Sequence, residues 1–260
     1  MARADDLARI RAGLLAAADA VRPFTPGDVA WERKVGRGDP VTAADQAADA
    51  VLRDILPRPG EGWLSEESVD DLSRLECERV WVVDPIDGTR EFIEGVPEWC
   101  VSIGLLEHDV PVAGGIYNPA TDELVLGALD TGVTYNGNPA RVTDPERGAR
   151  VMVLASRSET RRGEWEGLDG GNLSILPCGS VAYKLALVAA GRADATWTLV
   201  PKSEWDVAAG CALVRAAGGV VTLAKGGSPY FNKPEPIFPS FVAAGSRLAQ
   251  RIREEWLSTT

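Results

Sequence analysis

An α+β fold is predicted by three features of the chain's patterning. Leu7, Ile10, Leu14, Leu15 and Ala18, and again Ala48, Val51, Leu52, Ile55 and Leu56, recur at the three- and four-residue spacing of amphipathic helices. Residues 62 to 129 instead hold short apolar runs broken by turn clusters such as Asn118-Pro119-Ala120-Thr121-Asp122, the pattern of an antiparallel meander. Beyond residue 150, strand-like and helix-like segments alternate, which predicts helices covering a sheet.

In chain order, the first helix covers residues 4 to 22 and stops at Pro23. Phe24 to Pro40, rich in Gly, Pro and charge, reads as a loop whose Lys34 and Arg37 are solvated, although either could touch an anionic ligand. Val41-Thr42-Ala43-Ala44-Asp45 opens a second helix, closed by Pro57 and Pro59. Strands are expected over Gly62 to Ser65, Val80 to Val83, Trp99 to Leu106, Val112 to Tyr117 and Glu123 to Leu129. Thr143 to Arg150 connects residues 1–142 to residues 143–260, two halves of one catalytic unit. The second half reads as strand (Val151 to Ala155), helix (Glu159 to Trp165), strand (Leu173 to Leu176) and helix (Val181 to Ala190). It continues as strand (Ala195 to Val200), helix (Glu204 to Ala217), strands (Val220 to Leu223, Phe241 to Ala244) and a last helix from Arg247.

Composition narrows the chemistry. The chain has 260 residues, 45% of them hydrophobic and 25% charged, which is ordinary for a globular protein. No apolar run has the length of a membrane span and the N-terminus lacks a signal peptide's apolar core, so a cytoplasmic enzyme is expected. Cys77, Cys100, Cys178 and Cys211 show no metal-knuckle or redox spacing and read as reduced. His108, the only histidine, lies in the hairpin turn Glu107-His108-Asp109, so histidine triads and multi-histidine zinc sites are all but excluded. A net charge of -11 argues against a nucleic-acid polymer as partner. A small phosphorylated metabolite stays compatible where cations stand between it and the carboxylates.

The chain is organised around Val80-Trp81-Val82-Val83-Asp84-Pro85-Ile86-Asp87-Gly88-Thr89-Arg90-Glu91-Phe92. A buried strand is expected to end at Pro85 and Gly88, placing Asp84 and Asp87 at its mouth. A helix beginning at Thr89 would aim its first amides into the same space, where an anion is favoured. Taken alone, Asp-Pro and Asp-Gly are also ordinary turn chemistry. Asp45 stands three residues after Thr42, as in a capping box. Glu66 and Glu67 follow an extended run, so one at most faces a shared site while the other is solvated or caps; Asp70 and Asp71 read as surface charge. Asp206 opens a helix that is apolar almost all round, where an ionised carboxylate must be hydrogen-bonded, paired or metal-bound. Bonding to the helix's own free amides would satisfy it as well.

The string Asp-Pro-Ile-Asp-Gly-Thr after a buried strand resembles the signature of the inositol monophosphatase superfamily, magnesium-dependent and lithium-sensitive phosphatases of sugars and nucleotides. Asp-Pro-Val-Thr-Ala-Ala-Asp-Gln, ending on Asp45 and Gln46, is similar to its N-terminal motif, and Trp-Asp-Val-Ala-Ala-Gly around Asp206 to its second signature. Ser65-Glu66-Glu67 resembles its Gly-Glu-Glu pattern with serine in place of glycine, and selects Glu66. The resemblance implies a layered α-β-α-β-α sandwich, often dimeric. It implies one Mg2+ held by Glu66, Asp84 and the Ile86 carbonyl, and a second by Asp84, Asp87 and Asp206, with room for a weaker third near Glu66. It further implies catalysis by Asp45, Glu66 and Thr89, with Thr89 polarised by Asp45 to deprotonate the attacking water, and phosphate held by the Gly88 and Thr89 amides.

Smaller features bear on the substrate. Asp-Gly-Thr-Arg-Glu-Phe, with Arg90, resembles the Asp-Gly-Thr-Lys-Glu-Phe of 3'(2'),5'-bisphosphate nucleotidases more than the Asp-Gly-Thr-Thr-Asn-Phe of inositol monophosphatases. Gly-Ser-Val-Ala-Tyr-Lys is nucleotidase-like too, which would bring Ser180 and Lys184 to a second phosphate. An arginine often found in nucleotidases is Thr198 here, leaving Lys202 to supply charge; an acidic residue used by inositol monophosphatases is Leu199. The expected activity is hydrolysis of the 3'-phosphate of adenosine 3',5'-bisphosphate. The alternatives are a phosphatase for inositol phosphate, a sugar bisphosphate or histidinol phosphate, and a non-catalytic metal-binding regulator.

Overall fold

Helix α1 (Ala2–Val21) and helix α2 (Ala43–Ile55) flank the segment expected to be a loop, and part of it pairs instead: β1 (Trp31–Arg33), in its middle, runs antiparallel to β2 (Pro40–Thr42), which leads into α2. Val41 and Thr42 therefore belong to a strand, and Thr42 is the N-cap of α2. The computed structural model describes residues 2–34, 39–166, 168, 172–198 and 200–257; Arg37 and Leu199, named above, lie outside them.

The meander forms as β3 (Gly62–Ser65), β4 (Arg79–Asp87), β5 (Cys100–Glu107), β6 (Val110–Asn118), β7 (Glu123–Ala128), β8 (Gly132–Tyr135) and β9 (Asn138–Ala140), adjacent in that order in one seven-stranded sheet. β3 lies parallel to β4, and every later neighbour is antiparallel. The expectation that Pro85 ends its strand was wrong. β4 runs on to Asp87 through a register shift, with Asp84 opposite Ser102 and Asp87 opposite Cys100. A β-bulge needs no ladder donor from its extra residue, so it accommodates proline, and it re-aims the side chains beside it. After Gly88 comes helix α3 (Thr89–Glu94). The β8–β9 hairpin was not foreseen, although Asn136-Gly137 at its turn is the strongest short hairpin signal.

The second half folds as β10 (Val151–Ser156), α4 (Arg157–Arg161), β11 (Leu173–Cys178), α5 (Val181–Ala189), β12 (Ala195–Thr198), β13 (Lys202–Ser203), α6 (Glu204–Ala216), β14 (Val220–Thr222), β15 (Ile237–Phe238), β16 (Phe241–Ala244) and α7 (Ser246–Arg251). β11-β10-β12-β16-β14 make a five-stranded mixed sheet, and β13 pairs with β15 apart from it. The helix expected through Trp165 stops at Arg161, beyond which only turns continue.

Three apolar layers hold these elements together. Alternate residues of β4 and β5 face opposite ways: Trp81, Val83, Val101, Ile103 and Leu105 pack on α1 and α2, whereas Val80, Val82, Cys100 and Leu106 pack on α5 and α6. The far side of α5 and α6 meets the second sheet through Leu154, Val221, Phe241 and Ala243, and that sheet's other face packs Val153, Trp197, Val242 and Ala244 against Leu248 and Ala249 of α7. The order is α-β-α-β-α. α6 lies close to the first sheet because Gly104 and Gly114 face it: a Cβ on Gly114 would stand 2.7 Å from the Ala209 carbonyl oxygen. Among the described residues no helix is long and apolar enough to cross a membrane.

Candidate active site

Asp45 and Asp206 stand on helix N-termini, and Asp84 and Asp87 stand in β4. Asp45 is the third residue of α2 and completes the capping box, its Oδ2 accepting the Thr42 amide at 2.7 Å and the Thr42 hydroxyl at 2.6 Å. Its Oδ1 accepts the Thr89 hydroxyl at 3.1 Å. The capping and polarising readings of Asp45 are thus compatible, because each uses a different oxygen. Asp206 likewise closes a capping box on α6, accepting the Ser203 amide at 3.0 Å. Asp87 reaches from β4 to the start of α5, where its Oδ2 accepts the Ser180 hydroxyl at 2.7 Å and the Ala182 amide. Helix N-termini carry partial positive charge and free amides, which suits acidic side chains placed against them. Asp84, in the strand itself, accepts the Ile86 amide at 3.1 Å and no other donor among the described residues.

One oxygen from each of Asp84, Asp87 and Asp206 lies within 4.8 Å of the others. Burial, then the charges of Glu66, Asp87 and Asp206, pushes the Asp84 carboxyl well above the usual carboxylate range. Burial, then the charges of Asp87 and Glu66, does the same to Asp206. Glu66 is raised by burial too, against the pull of Lys34. Hard oxygen donors gathered where their own repulsion disfavours ionisation are the donor set of a hard divalent cation, which removes both the repulsion and the desolvation cost. The residues fit a metal.

Three expectations about charged residues are corrected. Lys34 is no solvated loop charge: its ammonium bonds Glu66 at 2.6 Å and Glu67 at 2.5 Å with 12% of the side chain exposed. Glu67 is accordingly neither solvated nor capping; burial raises its carboxyl to about 7 even with Lys34 attached. Asp70 is also more than surface charge, since it pairs at 2.8 Å with Arg74, which is buried.

The cluster opens into a cavity of about 560 Å³ lined by Glu66, Asp84, Ile86, Asp87, Gly88, Thr89, Arg90, Ser180, Lys184, Lys202 and Asp206, with Arg157 and Arg162 beyond them. Gly88 turns into α3 at φ +100°, and a Cβ there would meet the Glu98 carbonyl oxygen at 3.0 Å, so glycine is required on both counts. Arg90 is exposed and pairs with Asp39 at 3.0 Å. Ser180 is not free to meet a ligand: besides serving Asp87, its oxygen accepts the Tyr183 amide at 2.9 Å as the N-cap of α5. Lys184 is buried with its ammonium on the Ser180 carbonyl at 2.6 Å, and burial holds it below the usual lysine value. Lys202 lines the cavity and pairs with no carboxylate among the described residues. Thr198 faces elsewhere, its buried hydroxyl donating to Glu159 at 2.6 Å. The cysteines are all free, and Cys100, Cys178 and Cys211 are buried. Arg157 and Arg162 were missed; two arginines after a strand were the available signal.

The sequence profile of the inositol monophosphatase family matches residues 4–257. An inositol-1-monophosphatase of Synechocystis sp. is 35% identical over 206 residues, 75% of this chain and 71% of that protein. The structure of inositol monophosphatase from Anabaena superposes with a TM-score of 0.80 at 30% identity, covering 99% of this chain and 97% of that one. CysQ from Bacteroides thetaiotaomicron, a bacterial member of the same family, superposes with a TM-score of 0.78 at 29% identity over 94% of this chain and 98% of that one. With the fold, the acidic cluster and these likenesses in agreement, the chain belongs to the inositol monophosphatase family of metal-dependent phosphoric monoester hydrolases.

Proposed function

We propose that this protein is a magnesium-dependent phosphatase that removes the 3'-phosphate of adenosine 3',5'-bisphosphate, giving AMP and phosphate. The observation that carries the reading is the cavity's mixed lining. One oxygen of each of Asp84, Asp87 and Asp206 lies within 4.8 Å of the others, and Lys184 and Lys202 line the same cavity, with Arg157 paired to Glu98 and Arg162 to Glu164. A monophosphate needs only the carboxylate cluster with its metal; a substrate with a second phosphate would use the lysines as well.

Glu66, Asp84, the Ile86 carbonyl, Asp87 and Asp206 would hold two ions, with a third weaker one near Glu66. When bound, magnesium neutralises the phosphoryl oxygens and acidifies the attacking water. The chain's own groups do the rest. Thr89 lines the cavity with its hydroxyl 3.1 Å from both Asp45 Oδ1 and the Ile86 carbonyl oxygen; when it donates to Asp45, its oxygen can take a proton from water as its own passes to that carboxylate. Burial raises the Asp45 carboxyl, making it a better acceptor than an exposed aspartate. The Gly88 and Thr89 amides hold the phosphate, and Lys202 with Lys184 meets the second one.

Hydrolysis of inositol 1-phosphate is the second reading, favoured by the name of the Synechocystis relative. Phosphate release with magnesium from adenosine 3',5'-bisphosphate, inositol 1-phosphate and fructose 1,6-bisphosphate, compared by kcat/KM, tests the choice. Preference for the nucleotide supports the first reading. Preference for inositol 1-phosphate replaces it with the second, and no hydrolysis of any phosphate ester would leave a metal-binding regulator.

A further inference from the structure

Ser102 sits in the middle of β5 with no exposed surface, and its hydroxyl has no hydrogen-bond partner among the described residues. Its setting makes this costly. Its neighbour across β6 is Ile116, and the next residue on its face of β5, Gly104, lies against Ala208 and Ala209 of α6. A buried hydroxyl without a partner forfeits its bonds to water, and alanine at the same place would not.

Across the β4–β5 ladder, Ser102 is the direct partner of Asp84. Directly opposed residues project from the same face with Cβ atoms about 5 Å apart, within reach of a serine hydroxyl and a carboxylate. This is the face on which Val80 and Val82 meet α6, the helix that carries Asp206. Among the described residues Asp84 has the Ile86 amide alone as a hydrogen-bond donor, fewer than Asp45 or Asp87 receives there. An orphan donor therefore faces an under-supported acceptor.

We infer that Ser102 is a positioning residue for Asp84, its hydroxyl orienting the Asp84 carboxylate, directly or through one buried water, when that carboxylate takes up a divalent cation. This rests on the metal-binding reading of the cluster above and adds a residue to it. Groups that orient a metal's ligands commonly change affinity by about tenfold or more when removed. The unpartnered hydroxyl in the metal-free protein is then a stability cost retained for a binding function.

That trade gives the test two readouts of opposite sign. Calorimetric titration of magnesium into Ser102→Ala, without substrate, should show affinity about tenfold weaker than in the unsubstituted protein. Thermal unfolding of the same variant in chelator should show Tm unchanged or raised by about 2–4 °C, since an unsatisfied polar group has gone. Ser102→Cys, of similar size with a weaker donor, should fall between the two in affinity. Unchanged magnesium affinity in Ser102→Ala would overturn the inference while leaving the metal site standing, and so would weaker affinity with a lower metal-free Tm, which reports lost packing. Failure of the unsubstituted protein to bind magnesium would overturn both.

Discussion

The carboxylates and the cations of the cavity are built differently. Asp84, Asp87, Gly88 and Thr89 come from six consecutive residues of one strand, one turn and one helix start, with a β-bulge fixing their angles, and only Asp206 joins them from a separate element, α6. Arg157, Lys184 and Lys202 come from α4, α5 and β13, whose positions depend on packing between separate elements. Chemistry common to a family can reside largely in a short rigid segment, whereas substrate choice can drift through side chains on several supports. The contrast predicts that damage to the carboxylates removes turnover and damage to the cations redirects it.

The largest effect should come from Asp87→Asn or Asp206→Asn, each lowering kcat on the order of 10³-fold in steady-state assays with saturating magnesium, with a circular dichroism spectrum like the parent's. Thr89→Ala should follow at about 10²-fold in kcat with KM little changed, since it removes a proton path rather than a binding contact. Lys202→Ala sharpens the contrast from the cationic side: KM for adenosine 3',5'-bisphosphate should rise about tenfold while KM for a monophosphate stays within about twofold. A tenfold rise for both substrates would erase the distinction between carboxylates and cations.

A smaller effect concerns stability. Asp45, Glu66, Asp84 and Asp206 titrate above the ordinary carboxylate range, and Glu67 at about 7. Through these groups the metal-free folded state binds more protons than the unfolded chain, so the stability they contribute falls as pH rises from about 4 through 7, whereas Glu61, held down to about 2 against burial by its bonds to Arg9 and Trp81, contributes stability that is lost only below that window. Tm in chelator should decline over that window, and magnesium should flatten the decline. A chelated Tm that rises through the same range would contradict the raised carboxyls.

The same contrast explains what could be read from the chain. Asp84, Asp87 and Thr89 could be placed together from the sequence because a local string sets their geometry; Asp206 was singled out because a carboxylate in an apolar helix needs a partner, which the cap amide of Ser203 supplies in part. Lys34 was misread as solvated because its partners Glu66 and Glu67 lie 32 and 33 residues away, brought close by the β1–β2 pairing that the Gly and Pro content of the segment concealed. Ser180 was expected to face substrate, yet its hydroxyl serves Asp87, 93 residues earlier, a contact no local pattern encodes. Among the fold elements, the long helices and central strands followed from periodicity. The two-residue strands β13 and β15 carry no periodic signal and exist through pairing alone.

The most direct test of the acidic cluster is phosphate release from adenosine 3',5'-bisphosphate after exhaustive chelation, then during readdition of magnesium, in the parent and in Asp87→Asn. Activity should vanish on chelation, return with magnesium in the parent, and stay absent in the variant. Hydrolysis that survives chelation, or that Asp87→Asn recovers in full, would contradict a metal-dependent site built on these carboxylates.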